Sequence, residues 1–259
     1  MAGRPKHPIY IISKGRAYKP LTAKLFEAAG LEYLIAVEPQ EVEDYAKALG
    51  TERVLELPFS NLGLGSFPAR NFCWEHAKKR GASRHWIFDD NIIHWRKWIN
   101  GNRKKIECID EALRYVELHA QREKADIAGF EEYNFSVSVP KKPFKKNCHV
   151  YSAMLIRNDL PFRWRLKYNE DVDLCLQVLH AGGITLSCVY YLANKVSTSE
   201  KMKGGNQDEL YKGNSPEKNL LKAKTLEAVW PQYAKTVIRF GRHHHLVDWK
   251  AFSKTVKKR

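Results

Sequence analysis

Three clusters of ionisable side chains have types and spacings that chemistry could use. Asp89 and Asp90, followed by Asn91, interrupt the apolar run WIFDDNIIHW (86–95). Glu170 and Asp171 lie in YNEDVDLCLQVLHAGG (168–183), and His243, His244 and His245 stand in a row inside RFGRHHHLVDW (239–249). Adjacent carboxylates repel, and burying two of them unpaired costs several kcal/mol, a large part of a domain's stability. Asp89 and Asp90 therefore belong at the exposed end of a strand, facing a metal ion, a basic side chain or water. Glu170 and Asp171 start a helix, where the dipole favours ionised carboxylates and aims them outward. Ordinary capping, by Asn169 or Glu170, accounts for such a trio taken alone. Alongside a second acidic pair, a general base becomes a reading to test. Successive histidines point different ways, so one or two of the three can reach a single ion, and a carboxylate–histidine set suits manganese. Histidines facing solvent or DNA are the alternative.

The elements that must position these groups can be read from periodicity. IYII within HPIYIISKGR (7–16), LEYLIAVEP (31–39), ERVLELP (52–58) and RHWIFDD (84–90) predict strands. Residues 20–30, 40–50 and 68–81 predict helices, the first two closed by Gly30 and Gly50. Alternation of this kind predicts an α/β fold with a mostly parallel central sheet flanked by helices. Ligands in such sheets bind at the carboxyl ends of the strands. That edge would carry Ser13, Lys14, Arg16, Glu38, the NLGLGS loop (61–66) and Asp89–Asn91. Arg70 and Asn71 add donors in the first turn of the third helix, where an anion is favoured. No dinucleotide fingerprint or P-loop is present. MKGGN (202–206) suggests a loop that closes on a ligand, with Lys203, Gly204, Gly205 and Asn206 as its contacts, or a plain connector. The whole chain, 1–259, is expected to form one domain. A nucleotide-binding half would span about 8–93 and an acceptor half about 94–252, with an irregular stretch over about 95–220.

Composition narrows the class of partner. The 259 residues hold 44 Lys and Arg against 29 Asp and Glu, a formal net charge of +15. Basic clusters recur at 78–80, 103–105, 141–146 and 254–259, beside aromatic residues, a pattern that favours a polyanion such as nucleic acid. Lys141, Lys142, Lys145 and Lys146 would hold phosphates. A basic surface serving solubility alone is the bland reading. Five scattered cysteines without a C-x-x-C pair point to free thiols in a reducing cytoplasm. No run approaches the roughly 20 apolar residues of a membrane span.

Together the residues resemble a glycosyltransferase of the GT-A fold. Asp89-Asp90-Asn91 resembles its D-x-D-like motif, Ala69-Arg70-Asn71 the segment preceding that motif, and NEDVDLCLQ its E-D-V-D-L-C-L helix. Asn91 departs from the third-position Asp of many members. More narrowly, the order ISKGR, VEPQE, LGLG…ARNF, FDDNI, YNEDVDLCLQ, KGGN and GRHHHLVDW is similar to the TET-associated glycosyltransferases of bacteriophages. The resemblance implies a sugar nucleotide donor, a UDP-sugar, and 5-hydroxymethylcytosine in phage DNA as acceptor. It also implies a divalent ion, Mn2+ or Mg2+, held among Asp89, Asp90, Asn91 and His244, and a base at Asp171 or Glu170. Transfer to a glycan or lipid-linked acceptor is the second reading. A non-catalytic DNA-binding protein on a transferase scaffold is the third.

Overall fold

The computed structural model describes residues 4–196, 202–205 and 216–252. Asn206 and the basic segment 254–259 lie outside the described residues. The first four strands form where periodicity predicts them: β1 (Ile9–Ile12), β2 (Leu34–Val37), β3 (Val54–Glu56) and β4 (Arg84–Asp89). Helices α1 (Leu21–Ala28), α2 (Val42–Leu49) and α3 (Phe67–Lys79) connect them. Apolar residues run continuously along β1 because both faces are covered. Ile9 and Ile11 pack with Phe26 of α1 and Tyr45 of α2, whereas Tyr10 packs with Trp74 of α3.

Over residues 91–196 the chain is as rich in strands and helices as before, where an irregular stretch was expected. β5 (Ile92–Ile99), β6 (Asn102–Ile106), α4 (Ile109–Arg122), β7 (Ile127–Glu132), β8 (Phe144–Lys146), β9 (Ala153–Arg157), α5 (Glu170–His180) and β10 (Thr185–Lys195) follow in turn. The ten strands make one sheet, ordered β3-β2-β1-β4-β9-β7-β10-β5-β6, with β8 added against β10. The sheet is mixed and not mostly parallel. Four pairings are parallel and five antiparallel.

The order 3-2-1-4 places a topological switch point between β1 and β4, where a crevice opens at the carboxyl ends. β9 runs against both β4 and β7, so β4 and β7 point the same way. The carboxyl ends of β1, β4, β7 and β10 and the amino end of β9 therefore share one edge.

Helix α6 (Pro216–Val229) packs on a separate hairpin, β11 (Ala234–Arg239) and β12 (Arg242–Val247). Two turns of the fold contrast. The β5–β6 connection is Asn100-Gly101, with φ of 49° and 75°, the pair a two-residue hairpin turn prefers. The β11–β12 connection is Phe240-Gly241, with φ of 50° and 70°. A bulky residue held left-handed costs about 1–2 kcal/mol, and Phe240 is 91% exposed, so burial offsets none of it.

Candidate active site

One large cleft, about 780 Å3, lies on the shared edge and takes residues from both halves of the chain. One wall of it is built at the switch point. Ser13 Oγ donates to Asp90 Oδ2 at 2.5 Å, and Arg16 Nη1 donates to Asp90 Oδ1 at 2.5 Å. Tyr45 of α2 supports both partners, through contact with Ser13 Oγ and by accepting the Arg16 backbone N–H. Lys14 Nζ lies 3.1 Å from Glu38 Oε1, and Gln40 donates to the other Glu38 oxygen. Burial raises the Glu38 pKa, but the bonds from Gln40 and Lys14 outweigh it and the net direction is downward. Leu62, Gly63, Gly65 and Ser66 of the glycine-containing loop also line the cleft.

The adjacent carboxylates of the opening motif have separate partners, which answers how they coexist. Asp90 is buried against Arg16. Asp89, more open, accepts from Arg70 Nη2 at 2.7 Å and lies 3.7 Å from Lys195 Nζ. Basic side chains, one of the three options open from sequence, hold both acids here. The Asn91 amide donates to Val196 O at 2.9 Å, while its Oδ1 is buried without a protein partner.

Helix α5 brings Glu170 and Asp171 to the same cleft. Asn169 enters this helix left-handed, at φ 56°, and its amide donates to Lys222 O. It therefore does not cap by its side chain; Asp171 Oδ1 instead accepts the N–H of Val172 at 2.8 Å. Asp171 Oδ2 meets His149 Nε2 at 2.9 Å. Glu170 accepts from Ser66 Oγ at 2.6 Å and lies 3.6 Å from Arg70 Nε. The two acids titrate in opposite directions. Desolvation, aided by the Asp171 charge, raises Glu170 against the pull of Arg70. Desolvation also acts on Asp171, but His149 and the Val172 N–H outweigh it and hold Asp171 well below the usual carboxylate range.

Several functional candidates were missed from sequence. Lys195, at the end of β10, pairs with Glu132 at 2.6 Å and donates to Ser152 Oγ at 3.1 Å. Burial alone would lower the Lys195 pKa; Asp89 and Glu132 reverse the direction and keep it protonated. Phe135, Tyr151 and His149 line the cleft as an aromatic wall. Phe135 stacks on Tyr151 at 5.1 Å, Tyr151 lies 4.0 Å from His149, and Trp249 stacks behind His149 at 6.0 Å. No local pattern marks these residues, because tertiary structure alone gathers them. The second acid of FEEYNF, Glu132 at a strand end, was the one available signal.

The other expectations divide. His244 and His245 reach the cleft rim and His243 does not. The His244 Nε2 atom is buried without a protein partner, and desolvation lowers the His245 pKa. Asn71 does not line the cleft; its amide exchanges hydrogen bonds with the Trp164 backbone, at 2.7 and 3.1 Å. The Lys203, Gly204 and Gly205 backbone docks on the 14–16 turn. Arg16 donates to Lys203 O and Gly204 O, and the Gly205 N–H to Lys14 O. A Cβ on Gly204 would sit 2.5 Å from Gly15 O, so this close approach requires glycine. Lys141, Lys142, Lys145 and Lys146 are outside the main cleft. Lys142 and Lys146 flank a second hollow with His119, Arg122 and Phe144, while Lys145 pairs with buried Glu131 and Lys146 with Glu123.

All five cysteines are free. Among the described residues, no helix is long and apolar enough to cross a membrane, and no three His, Cys, Asp or Glu side chains group to hold a metal ion.

Residues 7–205, most of the chain, match the family model described as TET-Associated Glycosyltransferase. No curated protein matches. Among solved structures, the chain is similar to a protein from Desulfovibrio desulfuricans G20 described as a putative nucleotide-diphospho-sugar transferase. Identity is 13% and the TM-score 0.44, with 74% of this chain and 83% of that chain covered.

Proposed function

The chain belongs to the TET-associated glycosyltransferase family and is a glycosyltransferase; from that premise we propose that it moves a sugar from a UDP-sugar to 5-hydroxymethylcytosine in phage DNA. One observation carries the reading. A single cleft joins a donor side rich in paired acids and cations to an acceptor side that combines a carboxylate–imidazole pair with an aromatic wall.

In the proposed reaction the acceptor hydroxyl oxygen bonds to the anomeric carbon as the bond from that carbon to the diphosphate breaks. Both Asp171 oxygens already accept hydrogen bonds, so the Asp171–His149 pair takes the hydroxyl proton as a unit. Lys14, Arg16, Arg70 and Lys195 line the cleft and offset the charge on the departing nucleoside diphosphate. Glu38 and Ser13 face the nucleoside end. A flipped cytosine base fits against Phe135 and Tyr151, since a π-face accepts any base by stacking.

A divalent ion suits two acceptor atoms without protein partners, together with Asp89, which would exchange Arg70 and Lys195 for it. Asp89, Asn91 Oδ1 and His244 Nε2 all belong to residues of this cleft, and the last two are buried atoms lacking protein partners. A carboxylate, an amide oxygen and an imidazole suit Mn2+ or Mg2+, which when bound would supply Lewis-acid neutralisation of the diphosphate. Asp90 is engaged by Arg16 and Ser13 and is assigned to positioning.

The deciding experiment incubates hydroxymethylated DNA with the protein, manganese and a panel of sugar nucleotides, followed by mass spectrometry of the nucleosides. A hexose adduct on 5-hydroxymethylcytosine is the expected product. Transfer only to a free nucleotide or a glycan overturns the acceptor assignment.

A further inference from the structure

Phe240 occupies a place that the free protein does not explain. It stands at the tip of the β11–β12 hairpin, 91% exposed and left-handed, where the other two-residue turn of the fold carries asparagine. Arg239 and Arg242, both exposed, face each other across the last register position of the hairpin. Like charges directly opposite weaken a hairpin unless an anion lies between them. Among the described residues nothing accounts for the strained aromatic or the opposed arginines, and one occupant would account for both. Arg239 and Phe240 also line the rim of the active cleft.

A duplex matches this tip. Its phosphates meet the arginine pair, and an apolar side chain inserted between base steps unstacks them. We infer that Phe240 is a wedge, entering the base stack to hold the space left when the target nucleotide turns into the cleft. This inference rests on the DNA acceptor proposed above. Extrusion leaves an unfilled gap in the stack, and a ring at the cleft rim can occupy it while the flipped base meets the aromatic wall.

The test uses a duplex carrying one 5-hydroxymethylcytosine with 2-aminopurine as its 3′ neighbour, the same strand alone, and UDP-glucose as donor. Wild-type protein and the variants F240A, F240N and F240W are compared. Wild type is expected to raise 2-aminopurine fluorescence on binding the duplex, without donor, and F240W to retain most of that rise. F240A and F240N lose the rise, and their ratio of duplex to single-strand kcat/KM falls by about tenfold or more. F240N places the preferred residue in the turn and melts above wild type, which separates the loss from unfolding. Unchanged fluorescence and an unchanged ratio in F240A and F240N, with wild type active on the duplex, overturn the wedge alone. A wild type that neither binds the duplex nor alters its fluorescence overturns the DNA acceptor and the wedge together.

Discussion

The Arg16 guanidinium and the Asp90 carboxylate form a buried pair at 2.5 Å, and Arg16 is bonded on its other edge to the carbonyls of Lys203 and Gly204. Asp90 is therefore a keystone of the cleft wall that β1 and β4 build. Removing one partner of a buried pair typically costs about 3–5 kcal/mol, because the other charge is left desolvated. Asp90→Ala should lose stability of that order in urea unfolding, together with donor binding. An Asp90→Ala protein that melts with wild type and loses turnover alone would return Asp90 to direct contact with ligand.

Asp171→Asn keeps size and the Val172 N–H bond but cannot take a proton. Turnover should fall by about 10²–10⁴-fold, with sugar-nucleotide affinity measured by calorimetry unchanged. His149→Gln retains a donor to Asp171 but removes the imidazole nitrogen that shares the proton, and should lower turnover by a similar factor. Loss in Glu170→Gln with near-normal Asp171→Asn would move the role to Glu170.

The opposite shifts of the neighbouring acids give opposite pH slopes. Asp171 is depressed, so its stabilisation is complete above its unfolded value, about 3.9, and is lost as pH falls through the folded one. Glu170 is raised, so its ionisation weakens the fold as pH climbs from about 4.3 to the higher folded value. Relative to wild type, Asp171→Asn should lose stability and Glu170→Gln gain it between acid and neutral pH. Melting curves across that range check both signs, and parallel curves would contradict the pairing described.

His244→Ala and Asn91→Ala should each raise the manganese concentration needed for half-maximal rate. Chelator should suppress wild-type transfer, with restoration on adding manganese. Titration of Mn2+ followed by paramagnetic relaxation of water supplies a readout independent of rate. Equal Mn2+ affinity in wild type and both variants would remove these residues from the ion.

The basic segment at 141–146 separates into two kinds of lysine. Reversing Lys141 and Lys142 to Glu should weaken DNA binding uniformly across sequences and reduce the salt slope by about 0.9 for every phosphate no longer neutralised. Reversing Lys145 should also destabilise the fold, because it faces buried Glu131. Binding isotherms at several salt concentrations, with melting curves alongside, distinguish the two. An unaltered salt slope in the Lys141 and Lys142 reversals would place the phosphates elsewhere.

Much of the cleft wall at the switch point was legible because its strands are apolar at nearly every position and end on polar residues. Ser13, Lys14, Arg16, Glu38, Arg70 and Asp89–Asp90 are all cleft residues. The later strands escaped notice for the opposite reason. β5 and β6, IIHWRKWI and NRKKI, mix apolar with basic residues and read as loops until their partners are known. Asp171 was visible from its helix start. His149 and Lys195 were not, because each acts on residues placed beside it only by the pairing of β4, β9, β7 and β10. Asn71 was a natural candidate by position, but it lies on the far side of α3, where Trp164 offers both a carbonyl and an N–H.

The clasp between Arg16 and the 203–204 carbonyls also has a consequence for synthesis. Its hydrogen bonds join residues 187 and 188 positions apart. During translation, Arg16 and Asp90 emerge long before the carbonyls that complete their surroundings, and before β9, the second neighbour of β4. The segment up to about residue 93 is early in order of appearance and late in order of completion. A fragment ending near residue 93 would retain β1 to β4 and still leave the Arg16–Asp90 pair without its cover and Asn91 without Val196. Contacts of such separation slow folding, because chain entropy must be lost before they form. A nascent chain thus completes the surroundings of Arg16 and Asp90 only when nearly the whole family-matched region, residues 7–205, has been made.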